Sequence, residues 1–359
     1  MGRDRSGGPG RAWRQAELAA ITPPGAGRGR THGMEQRTLG STGRDVSVVG
    51  LGTWQLGTDW GDVGETQALD VLAASVDAGV TFLDTADVYG DGRSEQLIGR
   101  FLAENPGTEV YVGTKMGRRA DQVPENYHLQ AFRDWTDRSR RNLGVERLDL
   151  VQLHCPPTEV LTSTEIHDAL ETLVAEDRIA AYGVSVETCD QALASIDALA
   201  PASIQIILNA FRRKPLEQVL PRAADAGVGI IARVPLASGL LSGRYTKDTT
   251  FAPTDHRTFN RNGEAFDVGE TFAGVDFSTG VEAAQEFSAL VADLGPAEAS
   301  PAQVALRWVI QQAGVTSVIP GARNVEQARA NAAAAALEPL SPELLAAVEE
   351  LYENRLRAQ

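Results

Sequence analysis

Four ionisable side chains in this sequence each stand at the end of a short apolar run or just beyond it. Asp84 and Tyr89 lie five residues apart in FLDTADVYG, Lys115 ends EVYVGTK, and His154 ends LDLVQLH. A tyrosine is a poor acid near neutral pH because its ordinary pKa is about 10. A buried ammonium beside it would lower that pKa, and a carboxylate beside the ammonium would keep the lysine charged.

Such a set can donate a proton to a carbonyl oxygen while a hydride attacks the carbonyl carbon. His154 would hydrogen-bond the same oxygen. The sequence shows no Cys or Ser nucleophile with a paired base, so the hydride would come from a bound nicotinamide. The residue types therefore predict carbonyl reduction, on condition that the fold brings them together.

The elements that would position these residues follow two alternating hydrophobic patterns. Segments such as ETQALDVLAASVDAG repeat apolar residues every three or four positions, which predicts helices packed on a sheet. Eight apolar runs predict strands buried on both faces, as in a parallel sheet: 46–54, 80–84, 109–115, 148–154, 179–185, 203–209, 228–234 and 315–321.

Eight β-then-α units favour an α/β fold of the (β/α)8 TIM barrel type, in which functional residues lie at the carboxyl ends of the strands. A doubly wound sheet is the alternative. Its phosphate-binding fingerprint is matched only weakly by GLGTWQLG, which has four residues before the last glycine.

Charge and composition narrow the classes of partner. The 359 residues carry a formal charge of −15, of which residues 1–33 contribute +4 and the remainder −19. An acidic body of this kind should repel nucleic acid and anionic membranes. Two cysteines give no disulfide framework, and no apolar run is long enough to span a bilayer, so a cytoplasmic protein is expected.

Residues 1–33 differ in composition from the rest. They are rich in Gly, Pro and Arg and have no sustained hydrophobic period, so a disordered N-terminal extension is predicted there. The folded barrel is predicted for residues 34–359, starting at Met34.

Several further motifs, in order along residues 36–332, resemble those of the aldo-keto reductase superfamily: FLDTADVYGDGRSEQLIGRFL, VYVGTKMG, SRRNLGVERLDLVQLH, YGVS, PLASGLLSGRY and SVIPGARNVEQARAN. The resemblance implies a (β/α)8 barrel whose base is closed by an N-terminal β-hairpin, for which residues 34–50 are the candidate. It also implies NADPH-dependent reduction of aldehydes and ketones, with no metal.

The resemblance assigns roles by position. Its catalytic tetrad falls on Asp84, Tyr89, Lys115 and His154, with Tyr89 as the general acid. Cofactor contacts would fall on Thr53, Trp54, Asp84, Ser185, Gln205, Arg233, Pro235, Leu236, Ser238, Gly239, Leu241, Gly321, Arg323, Gln327 and Asn331. Of these, Ser185 and Gln205 would bind the nicotinamide amide, residues 235–243 the pyrophosphate, and residues 321–331 the adenosine end.

The sequence departs from the family pattern at three places. Val186 replaces an asparagine that many relatives place after Ser185, and Gln327 stands where some branches have an arginine for the 2′-phosphate. Arg233 stands where an aromatic residue commonly stacks on the nicotinamide, so either cofactor or substrate contact is open to it. The expected preference for NADPH therefore depends mostly on Arg323 and on the family resemblance.

The long segment after strand 7, the other histidines, Cys155 and the side chain of Trp54 receive structural interpretations. Residues 244–280 form the longest gap between strands, contain six aromatic residues, and are predicted to hang over the barrel mouth after strand 7. His128, His167 and His256 do not have the spacing of metal ligands and are predicted to be surface or structural residues. Cys155 is predicted to be a buried structural thiol. Trp54 is predicted to form a wall of the pocket.

Two alternatives to the reductase use the same fold. The family's barrel also serves as a cofactor-binding regulatory subunit of membrane channels, which an intact tetrad does not exclude. A metal-dependent hydrolase would need several His or carboxylate ligands that converge, and only one histidine is expected at the mouth.

Overall fold

The computed structural model describes residues 33–57, 63–265 and 268–358. Except for Gly33, the predicted extension lies outside the described residues. The strands are β1 (Gln36–Thr38), β2 (Asp45–Ser47), β3 (Leu51–Gly52), β4 (Phe82–Asp84), β5 (Tyr111–Met116), β6 (Leu148–His154), β7 (Ile179–Ser185), β8 (Ser203–Ile207), β9 (Gly229–Arg233) and β10 (Val315–Val318).

Helices separate the strands from β3 onward. They are α1 (Glu65–Asp77), α2 (Arg93–Glu104), α3 (Leu129–Leu143), α4 (Thr158–Leu161), α5 (Thr164–Ala175), α6 (Cys189–Leu199), α7 (Lys214–Gln218), α8 (Leu220–Asp225), α9 (His256–Phe259), α10 (Phe277–Leu294), α11 (Pro301–Ile310), α12 (Val325–Ala333) and α13 (Pro342–Arg355). In the described residues no helix is both long enough and apolar enough to cross a membrane.

Strands β3 to β10 form one eight-stranded sheet in which every neighbouring pair is parallel and the order follows the sequence. Its two ends meet through parallel bridges that pair Val49 with Val318 and Gly52 with Gly321. The sheet therefore closes, and the predicted (β/α)8 barrel is confirmed.

The N-terminal hairpin is confirmed as well, and it corrects the first predicted strand. β1 and β2 pair antiparallel, so the run 46–54 contains the end of the hairpin and the short barrel strand β3 rather than one strand. Leu39 and Val46 pack with Phe82, Leu150 and three further apolar side chains inside the barrel. The hairpin thus fills the amino-terminal end of the barrel, which leaves the carboxyl ends of the strands open for chemistry.

The remaining core lies between the sheet and the helices. It includes Trp308, Phe132 and Phe287, which are almost fully buried, with apolar side chains from every strand of the eight-stranded sheet. Strands such as β5 and β8 are buried along their whole length, because one face meets the barrel interior and the other meets helices. Polar residues within such strands therefore need partners, and several of them find partners in the site.

Candidate active site

Asp84, Tyr89 and Lys115 meet at the carboxyl ends of β4 and β5. The Lys115 Nζ lies 2.6 Å from Asp84 Oδ2 and 3.2 Å from Tyr89 Oη, and it also donates to the Thr85 carbonyl oxygen at 2.9 Å. Lys115 is completely buried. An ammonium in such a place is tolerated because its three protons have three partners, one of which is a carboxylate.

The other oxygen of Asp84 is held by amides from two further strands. Gln205 of β8 donates to Asp84 Oδ1 at 2.7 Å and to Gln152 Oε1 at 3.3 Å, and Gln152 of β6 donates to Asp84 Oδ1 at 3.4 Å. Sequence reasoning missed Gln152. Its signal was a single amide at the centre of the apolar run LDLVQLH, where a buried polar group requires a partner.

Burial raises the pKa of Tyr89 above its ordinary value of 10.0, and the neighbouring Lys115 ammonium opposes that rise without cancelling it. We expected the Lys115 ammonium to lower the pKa of Tyr89, and that prediction is wrong. Burial lowers the pKa of Lys115, but Asp84 and Tyr89 more than offset this, so that pKa ends above its ordinary value. Tyr89 is therefore a neutral phenol and Lys115 an ammonium at neutral pH, which is the state a proton donor needs.

His154 lies beside this group at the end of β6. Its ring meets the Tyr89 ring edge to face, with 5.9 Å between the centroids. Burial lowers the pKa of His154 well below 6.5, and the cations Arg118, Lys115 and Arg233 lower it further. The imidazole is therefore neutral, and its buried Nδ1 has no hydrogen-bond partner among the described residues.

The loop that carries Tyr89 is fixed from two sides. Gly90 has a φ of +59° and lies against the backbone of Gly57, where a Cβ would collide with the Gly57 carbonyl. From α3, Arg138 donates to the carbonyl oxygens of Asp87 at 3.0 Å and Asp91 at 2.7 Å. These two acceptors flank Tyr89, so one guanidinium group holds both sides of the loop.

A cavity of ≈ 1270 Å³ opens above these residues. Most of the predicted site residues line it: Trp54, Asp84, Tyr89, His154, Ser185, Gln205, Arg233, Pro235, Leu236, Ser238, Gly239, Gly321, Arg323, Gln327 and Asn331. Lys115 lies behind Tyr89. The predicted cofactor contacts Thr53 and Leu241 are fully buried and do not line the cavity, and the Thr53 hydroxyl is bonded to the Asp84 carbonyl oxygen and Ser94.

The far end of the cavity is built from the start of α12. The Arg323 amide donates to Gln327 Oε1 at 2.8 Å, and Asn331 donates to the Gly321 carbonyl oxygen at 3.0 Å. The cavity also runs along the turn that follows β9, where Gly239 has a φ of +97° and lies against the Tyr245 hydroxyl. A Cβ at Gly239 would collide with that hydroxyl, so only glycine fits at this point of the cavity wall.

The predicted long segment after strand 7 of the barrel is confirmed, and it covers part of the mouth. Tyr245, Phe251, Phe272 and Phe277 form an aromatic cluster with centroid distances from 4.8 to 6.5 Å, whereas Phe266 lies outside the described residues. This cluster gives the segment its own small core.

Two contacts tie the long segment to the site. His256 is fully buried and lies 5.0 Å from Trp54 between ring centroids, and Trp54 stacks on Tyr89 at 6.0 Å. Burial lowers the pKa of His256 to about 4, so it packs as a neutral ring. Glu270 forms a buried ion pair with Arg233, and sequence reasoning missed this acid because the path of a long loop is not encoded in a hydrophobic period.

The fold and the geometry of the site agree with comparisons to known proteins. A model of the Aldo/keto reductase family matches residues 48–353. The chain belongs to this family. In the described part of the chain, no group of three or more His, Cys, Asp or Glu residues is arranged to hold a metal ion.

Individual members of the family resemble the chain over most of its length. Aldo-keto reductase YhdN of Bacillus subtilis is 29% identical over 83% of this chain and 87% of its own. The structure of glycerol dehydrogenase AKR11B4 from Gluconobacter oxydans has a TM-score of 0.71 and 30% identity, and covers 87% of this chain and 93% of that one. An aldo-keto reductase from Klebsiella pneumoniae, solved in complex with NADPH, has a TM-score of 0.65 and 25% identity, and covers 89% and 96%.

Proposed function

We propose that this member of the family reduces an aldehyde or ketone to an alcohol with NADPH as the hydride donor. The observation that carries the proposal is the position of Tyr89, Lys115, Asp84 and His154 at one end of a cavity that continues to Arg323. The bound cofactor would supply the hydride that attacks the carbonyl carbon.

The residues of this chain would handle the proton. The Tyr89 hydroxyl donates it to the carbonyl oxygen, which becomes the alcohol, and the resulting phenolate is stabilised by the Lys115 ammonium at 3.2 Å. Asp84 keeps Lys115 charged. His154 is neutral, so one ring nitrogen can donate a hydrogen bond to the same carbonyl oxygen and orient it.

The cavity wall suits a dinucleotide. Its length joins the tetrad to the Gly321–Asn331 region, and the turn after β9 offers a close backbone approach at Gly239. We propose that this turn lies along the pyrophosphate, that Arg323 meets the 2′-phosphate, and that Ser185 and Gln205 meet the nicotinamide amide. Because Gln205 also donates to Asp84, one amide would link the cofactor to the tetrad.

The experiment is NADPH oxidation, followed by absorbance, across a panel of aldehydes, ketones and keto sugars, with Tyr89→Phe as the matched control. Turnover by the wild type and loss of it in the variant support the proposal. Binding of NADPH without turnover of any carbonyl would instead favour the alternative role as a cofactor-binding regulatory subunit.

A further inference from the structure

The ion pair of Arg233 and Glu270 is buried at the wall of the cavity. Arg233 ends β9 and is 6% exposed, and Glu270 comes from the long segment and is 9% exposed. The guanidinium also donates to the Val186 carbonyl oxygen at 2.9 Å, and Ser238 donates to the Glu270 carbonyl oxygen at 2.7 Å. Each member of the pair is therefore held by a second contact, and both line the cavity.

This pair lies close to the reacting atoms. Arg233 Nη2 lies 3.8 Å from the sulfur of Cys155, the residue directly after His154. Arg233 is one of the three cations that depress the pKa of His154, whereas Glu270 is not among the causes of that shift. Both charges of the pair therefore act on the site: Arg233 lowers the pKa of His154, and Glu270 contributes to the raised pKa of Tyr89.

The position of the cofactor ring in this cavity rests on the proposed function. A hydride donor would have to lie against the carbonyl carbon whose oxygen Tyr89 and His154 would bind. The cavity wall available to its ring is lined by Ser185 of β7, Gln205 of β8 and Arg233 of β9. The nicotinamide ring of NADP⁺ carries a positive charge, and the dihydronicotinamide ring of NADPH carries none. A fixed cation at that wall repels the first and is nearly indifferent to the second.

We propose that Arg233, with its charge partly offset by Glu270, makes the site discriminate between the two redox forms of the cofactor in favour of NADPH. An arginine suits this role because its charge does not titrate. The ion pair would stand where an aromatic ring would otherwise stack on the nicotinamide. Its cation would promote release of the oxidised cofactor after each turnover.

The test measures the ratio of two dissociation constants, Kd for NADP⁺ over Kd for NADPH, by fluorescence titration without any substrate. Glu270→Gln leaves the cation without its counter-charge, so the ratio should rise by about tenfold. Arg233→Met leaves the carboxylate alone, which attracts the oxidised ring, so the ratio should fall by about tenfold. The double variant should lie between the wild type and Arg233→Met.

The double variant keeps the proposal falsifiable if Arg233→Met fails to fold because it buries an unpaired carboxylate. Glu282→Gln is the matched control, since it removes a carboxylate from an exposed ion pair with Lys247 away from the cavity, and it should leave the ratio unchanged. Adenosine 2′,5′-bisphosphate, which has no nicotinamide, should bind equally well to all variants.

A ratio that stays within about twofold in Glu270→Gln and in the double variant overturns the inference. A fall of the ratio in Glu270→Gln overturns it too. If the wild type binds neither form of the cofactor, the proposed function itself fails. If it binds NADPH and reduces carbonyls while the ratio does not respond, only the role of Arg233 fails.

Discussion

Loss of the Tyr89 hydroxyl should separate chemistry from binding. Tyr89→Phe removes the proton donor but not the ring that stacks on Trp54, so carbonyl reduction should nearly vanish while NADPH binding is nearly unchanged. Steady-state kinetics and a binding titration check this. Reduction at close to the wild-type rate would contradict the assigned mechanism.

The effect of Lys115 on the pKa of Tyr89 should be measurable in the pH dependence of kcat. The Lys115 ammonium opposes the rise in the pKa of Tyr89, so Lys115→Met should raise that pKa further. Turnover should fall, and the limb on which activity is lost as the phenol ionises should move to higher pH. Asp84→Asn is the milder control, because asparagine can still accept a hydrogen bond from the lysine.

Arg323 lines the far end of the cavity, where we propose that it binds the 2′-phosphate of NADPH. Arg323→Ala should weaken NADPH binding by about 1.5 to 3 kcal/mol and NADH binding little, since only NADPH has the phosphate. Arg329, which is exposed on the helix that follows Arg323, provides the matched control Arg329→Ala. Equal losses for both cofactors would place the role of Arg323 elsewhere.

Asp87 should affect stability rather than catalysis. Its carboxylate is buried, neither oxygen has a hydrogen-bond partner among the described residues, and burial together with Glu95 raises its pKa from 3.8 to about 7. The folded state holds this proton more tightly than the unfolded state. Asp87 therefore lowers the free energy of unfolding progressively as pH rises from about 4 to 7, and the loss is constant above that.

Asp87→Asn removes that cost. Relative to the wild type, the variant should gain up to about 4 kcal/mol in free energy of unfolding at about pH 8 and much less at about pH 4. Urea unfolding at both pH values measures the difference. A difference that does not change with pH would show that the carboxylate is not forced to ionise in the folded protein.

At the scale of elements, α3 positions the Tyr89 loop through Arg138. Arg138→Met removes both hydrogen bonds that flank the loop, so kcat should fall by about tenfold or more while NADPH affinity holds. Arg138→Lys should recover part of the loss, because an ammonium can reach one acceptor. Arg141→Met changes an exposed residue on the same helix and is the control, so it should leave kcat unchanged.

The elements also show which features a sequence can predict. The barrel and the tetrad were predictable because buried parallel strands make continuous apolar runs, and Asp84, Lys115 and His154 each interrupt such a run at its end. The division of run 46–54 was not, since residues 46–51 are all buried and the apolar pattern does not break between the end of the hairpin and β3.

The partners of those residues were harder to predict. Gln152 and Gln205 bond to Asp84 across the barrel, and Glu270 reaches Arg233 from the long segment. These contacts depend on the closure of the sheet and on a loop path, neither of which leaves a periodic signal. The direction in which the pKa of Tyr89 shifts could not be predicted from the sequence either, because it depends on how completely the phenol is buried.

At the scale of the whole molecule, the folded unit should not need residues 1–33. A chain that begins at Met34 keeps both strands of the hairpin and all of residues 48–353 that match the family. Its melting temperature and NADPH affinity should equal those of the full chain. A large drop in melting temperature would show that the leading residues belong to the fold.

The closure of the barrel by the bridge between Val49 and Val318 affects how the chain folds during its synthesis. A nascent chain emerges from the ribosome with its N-terminus first. The open edge of β3 is therefore covered only after β10, the last strand of the barrel, has been synthesised. Until about residue 321 has emerged, the unfinished sheet exposes two unpaired edges, which are sites for aggregation. Chains truncated before β10 should therefore bind holdase chaperones, whereas chains that include α12 should be released.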